Sequence, residues 1–125
     1  MSMDNILLYE PGLIASGNLS NYQYYCVKYG SVAGDVALSA DSADACGAVQ
    51  NNPKDNGVAN VPLIGIGKAK IGSGGVSKGS RLVSDSAYKA AATTTNTDKY
   101  FGIALAAADT NDIIPYLAHN GMYAG

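Results

Sequence analysis

The chain has 125 residues, of which only 14% are charged, and eight basic against ten acidic side chains leave a formal net charge of -2. That length fits one domain with a modest core, and the Lys and Arg residues form no cluster that could neutralise a run of phosphates, which argues against direct nucleic-acid binding. The apolar runs fall far short of the about 20 residues that a membrane-spanning helix needs, and no basic segment followed by an apolar one stands at the start, so the expectation is cytoplasmic synthesis and no bilayer anchor.

Residues Met1 to Ser16 hold Ile6-Leu7-Leu8-Tyr9 ahead of a Glu10-Pro11-Gly12 turn. Two readings are open here: a first core strand, or an extended arm that adds to another chain's sheet edge through main-chain bonds. Pro11-Gly12 disfavours smooth continuation into the next strand. Four large side chains left in water form the kind of patch that marks an interaction site, so Ile6, Leu7, Leu8 and Tyr9 are the candidate contact residues.

Tyr22 to Tyr29 is aromatic and β-branched, carries four tyrosines, and predicts a strand. Its rings suit core packing first and a subunit interface second. Gly30 to Gly34 reads as a turn, Asp35 to Ser39 as a short strand, and Asp41-Ser42-Ala43-Asp44 as a solvated loop without the pattern of an EF-hand. Cys26 and Cys46 lack metal-ligand spacing, and with no secretory leader in view they are expected to be reduced.

From Cys46 to Ile71 the sequence reads as a strand end, a polar turn around Pro53-Lys54-Asp55-Asn56-Gly57, and a long strand from Val58 to Ile71. From Ile66 the residues alternate in type, which puts one face on a core and the other in water. The strands Tyr22 to Tyr29 and Val58 to Ile71 are expected to be central. Gly72 to Ser80 is glycine-rich, but Lys78 precedes Gly79, the wrong order for a phosphate-binding loop, and no Gly-x-Gly-x-x-Gly here opens a helix. It reads as a turn between strands.

Arg81 to Ser84 predicts a strand, Asp85-Ser86 a turn, Tyr88 to Thr95 a strand and then a loop, Tyr100 to Leu105 a strand, and Asp112 to Leu117 the last strand. Pro115 cannot donate to a ladder, so this last strand is expected at an edge, a bulge or an end. Many short strands with frequent turns and no helical period indicate an all-β fold, a small barrel or sandwich. The division is an arm over residues 1–16, a body over 17–119 and a tail over 120–125.

Chemistry is sparse in this sequence. His119 is the single histidine, Glu10 the single glutamate, and the aspartates fall mostly in polar turns, so no nucleophile with its base and no split pair of carboxylates can be named. The reading is a non-enzyme with no catalytic residue, cofactor or metal.

Taken in order, Gly47-Ala48-Val49-Gln50-Asn51-Asn52-Pro53, Ala69-Lys70-Ile71 before a glycine-rich turn, Gly79 before Arg81-Leu82-Val83-Ser84-Asp85, Gly102-Ile103-Ala104-Leu105 and Asp112-Ile113-Ile114 cover about residues 17 to 117. Their order and spacing resemble those of the tailed-phage capsid decoration proteins, also called head cement proteins. The resemblance implies a small β-rich body, made in the host cytoplasm, on the outside of an icosahedral head. It would clamp neighbouring major capsid proteins, often as a homotrimer, and it has no catalytic residues to transfer. The sequence departs from the family at Pro115, since the family's last strand commonly lacks a proline, and before Gly17, where no motif matches. The alternative is a carbohydrate- or receptor-binding β-domain of a virion fibre or adhesin, for which the nine tyrosines would supply stacking faces.

Overall fold

The computed structural model describes residues 8–9, 13–30, 34–40, 45–93 and 99–122, and among them ten strands and no helix. These are β1 (Leu8–Tyr9), β2 (Ile14–Ala15), β3 (Cys26–Tyr29), β4 (Asp35–Leu38) and β5 (Gly47–Ala48). They continue with β6 (Pro62–Lys70), β7 (Arg81–Ser84), β8 (Ala90–Thr93), β9 (Lys99–Ala104) and β10 (Ile113–Met122). One open sheet runs β1-β6-β10-β9-β7-β8 and a second runs β2-β4-β3-β5. Of barrel and sandwich, the sandwich of short strands is the one formed.

The packing follows from which faces are apolar. Cys26 and Ala48 of the smaller sheet lie in one buried cluster with Ala69, Ile71, Leu82, Phe101, Ile114 and Tyr116 of the larger sheet and its connections. On β3 the next residue, Val27, points the opposite way, into a second cluster with Leu13, Leu19, Val49, Ala59 and Val61. The smaller sheet is thus covered on both faces, which is why Cys26 and Val27 are both fully buried. Leu13 and Ala15, within the segment assigned to the arm, belong to this second cluster.

Several boundaries differ from those expected, each for a local reason. Tyr22 to Tyr25 is a turn, because Tyr22 N–H donates to the Leu19 carbonyl, Tyr25 N–H donates to that of Tyr22, and Tyr24 takes φ +71°. The ring of Tyr22 meets those of Tyr25 and Tyr88 edge-on at 5.1 and 6.1 Å, contacts that outweigh the strand propensity of the run. Val58 makes only an isolated bridge to Ile14, and β6 begins at Pro62. The Asn51 side chain holds this stretch as a loop by donating to the Val58 carbonyl and accepting from Asn60 N–H.

The strand at the C-terminal end is longer than expected and lies inside the sheet, between β6 and β9. Pro115 therefore does not mark a sheet edge. Its carbonyl accepts from Leu105 N–H at 3.1 Å, so the donor it lacks faces the place where β9 has just ended. Gly121 and Met122 pair with Tyr100 and Lys99 after a register shift, which puts residues assigned to the tail into the ladder. In the turn after β7, the Asp85 carboxylate accepts from Ala87 and Lys89 N–H, so Asp85-Ser86 turns as read.

Candidate interaction surface

His119 is exposed, with its ring 5.9 Å from that of Tyr100. Among the described residues no group of three or more His, Cys, Asp or Glu side chains could hold a metal ion. No disulfide joins Cys26 and Cys46, the first of which is buried and the second half-buried. Burial pushes the Cys26 thiol well above its ordinary value of 9.0, with the charges of Asp85 and Cys46 adding in the same direction. The unfolded thiol ionises near 9.0 while the native one keeps its proton, so stability falls as pH rises past 9.0 and levels off only above the native value. Denaturant midpoints taken at neutral pH and above 9.0 check this, and Cys26→Ala should lessen the alkaline loss.

The inner face of the larger sheet is arranged around one ring. Tyr116 on β10 is fully buried and packs edge-on against Phe101 at 5.3 Å, and its hydroxyl accepts a hydrogen bond from Ala48 N–H at 3.1 Å across the sandwich. It pairs with Gly67 on β6 and Ala104 on β9, and Gly102 lies beside it on β9. A Cβ on Gly102 would collide with the Tyr116 ring, and one on Gly67 would lie 3.1 Å from it. The ring fills the space those side chains leave.

The outer face follows from the same registers. Ala69 is buried while Lys68 goes out, as the alternation dictates, and Ile66 and Ile64 also lie exposed. Across the strands Ile66 pairs with Leu117, Leu117 with Ile103, and Ile103 with Arg81, giving one row over β6, β10, β9 and β7. Beside it, Lys68 opposes Pro115 and Lys70 opposes Ile113. Ile64, Ile66, Ile113 and Leu117 are 56%, 36%, 48% and 39% exposed, large aliphatic side chains gathered on one sheet face. Lys70 leans on the Tyr25 ring at 5.4 Å and Arg81 on the Tyr100 ring at 5.7 Å.

The residues first named as contacts are placed in part. Leu8 and Tyr9 form β1, whose backbone pairs with β6 at Ile64 and Pro62, on the margin of this face. Ile6 and Leu7 lie outside the described residues. The described tyrosines do not make a common platform, since Tyr22 packs on Tyr25 and Tyr88 whereas Tyr29 is exposed on β3. The aliphatic row was missed in the sequence because it joins strands far apart in the chain. Its only local trace is the alternation of isoleucine with glycine from Ile64 to Gly67.

No protein-family profile and no curated protein matches this chain. Among solved structures, the fold is similar to that in the crystal structure of the N base of head fiber gp8.5 from bacteriophage phi29. The TM-score is 0.62 at 16% sequence identity, and the match covers 96% of this chain and 100% of that chain. A likeness at that identity establishes a shared fold that spans the whole of the phage domain.

Proposed function

We propose that this chain is a structural protein of a phage virion, bound to the outside of the head, where it clamps neighbouring major capsid proteins. The observation that carries this reading is the end-to-end likeness in fold to a phage head-fiber base. The order of short motifs from Gly47 to Ile114 supports the same assignment independently, through its resemblance to the decoration proteins. A clamp needs an inert body and apolar surface to bury on its target. Because shell sites where three subunits meet repeat the same surface three times, the favoured assembly is a homotrimer that gains by avidity. A second reading, the base of a fibre that carries a receptor- or glycan-binding tip, is favoured because the structural neighbour is the N base of a phage head fiber. Imaging particles with and without this protein separates the two: a clamp bridges adjacent capsid subunits, whereas a fibre base sits on the shell beneath a projecting shaft.

The arm supplies the next test. Fully burying an aliphatic side chain contributes about 1.5–3 kcal/mol before ordering costs, so Ile6, Leu7 and Leu8 can decide whether a small clamp stays bound. Deleting Met1 to Tyr9 is expected to leave a cooperative melt and to reduce occupancy on undecorated particles. Loss of the melt would make β1 a required core strand, and unchanged occupancy would place attachment elsewhere.

A further inference from the structure

The larger sheet is one-sided in its charges. None of the six strands of that sheet carries an Asp or Glu, whereas Lys68 and Lys70 on β6, Arg81 on β7 and Lys99 on β9 are basic. The described carboxylates outside it are Asp35 on β4 and Asp55, Asp85, Asp109 and Asp112 in turns and loops. On the sheet's outer face, Ile66, Leu117 and Ile103 form the apolar row, with Arg81 at one end and Lys68 flanking Ile66.

We infer that this face is a docking surface for a protein partner that presents apolar side chains bordered by carboxylates. The inference rests on the attachment reading, in which that partner is the shell. Two physical arguments select the occupant. An aliphatic row in water favours burial against another apolar surface, and a central row without polar groups cannot answer the phosphates of a nucleic acid. Basic residues without carboxylates on the same strands favour an acidic rim opposite, since like charges brought face to face are penalised. Two copies joined through this face would bring their Lys68 and Arg81 side chains toward one another with no acid on either strand set to answer them. The face is therefore not joined to its own counterpart on a second copy. β1 pairs along the margin of the same sheet, so Leu8–Tyr9 would lie beside the docked partner.

The test loads full-length protein onto shells stripped of it, comparing the unaltered chain with Leu117→Ser, Ile66→Ser and Lys68→Glu, and with Ser73→Glu in the exposed turn after β6 as control. Each variant is first melted, so that only folded protein is compared. Leu117→Ser and Ile66→Ser should each weaken loading by about ten-fold, and Lys68→Glu should weaken it and flatten its dependence on salt. Ser73→Glu should load normally. If the unaltered chain does not load, the attachment reading fails and this inference falls with it. Normal loading of all three face variants would overturn the inference alone. It would also be overturned if those variants loaded normally but dissociated an oligomer of the free protein, since the face would then join copies of this chain.

Discussion

Tyr116→Ala should leave a chain with no cooperative unfolding transition at ordinary temperatures. The substitution empties the largest fully buried site, and truncating a buried aromatic ring costs about 3–5 kcal/mol, depending on how far the site collapses. It also removes the hydroxyl that accepts from Ala48 N–H, and an orphaned buried donor costs about 1–3 kcal/mol more. Together these come to about 4–8 kcal/mol, comparable with the total of about 5–15 kcal/mol for a domain. Collapse is hindered because Gly67 and Gly102 flank the ring and have no side chains to move into the void. Tyr116→Phe keeps the ring and loses only the hydroxyl, so it should remain folded with a lower midpoint. Urea titrations of the two variants read out both parts, and a Tyr116→Ala midpoint close to that of the unaltered chain would defeat the assignment.

The second large effect comes from adding a single methyl group. Alanine normally suits a strand interior better than glycine by roughly 0.5–1 kcal/mol, so Gly102→Ala would be stabilising if backbone freedom decided the outcome. The new Cβ would instead drive into the Tyr116 ring and approach the Leu117 carbonyl oxygen at 3.0 Å, and backbone cannot step aside cheaply. The ring cannot retreat the other way, because on β6 it already closes against Gly67, with the Pro62 ring beside that glycine. Overpacking of this kind costs about 1–3 kcal/mol or more, so the steric term wins. Gly102→Ala is expected to lower the denaturation midpoint clearly. The open turn residue Gly74, where a Cβ would meet nothing within 4 Å, is strained only through its φ of +94° and should cost less on substitution by Ala. A Gly102→Ala protein as stable as the parent would show that Tyr116 does not fill that space.

Much of the strand content was legible because it is written locally. Asp35 to Leu38, Arg81 to Ser84 and Ala90 to Thr93 are bounded by turn residues, and each forms close to where its pattern puts it. The misreadings arise where a side chain or strand outside the local window overrides a local preference. Tyr22 to Tyr25 has the composition of a strand, yet Tyr88 supplies the ring that makes a turn the better packing. Pro115 looks like an edge residue until β9 is seen to end opposite it. For the surface, the lysines and isoleucines of β6 could be read as one face, but their alignment with Leu117 and Ile103 depends on registers that no short window contains. The glycines were equally opaque, since Gly67 and Gly102 acquire their meaning only from the ring that lies between them.

The position of β10 has a consequence for how the molecule comes into being. It is the last strand in the chain order and occupies the middle of the larger sheet, so β6 and β9 have no common ladder until it arrives. Closing that sheet joins Gly65 to Ala118 and Lys70 to Ile113, and the Ala48–Tyr116 hydrogen bond spans 68 residues of chain. Long loops must be closed before their contacts are gained, which places such topologies among slow folders, in the range of about milliseconds to seconds. On the ribosome the wait is longer, because β6 emerges well ahead of its neighbour and keeps an unpaired edge bearing Ile64 and Ile66. The glycines at 65 and 67 weaken that nascent strand as a template for other chains, which lowers its tendency to aggregate before β10 is made.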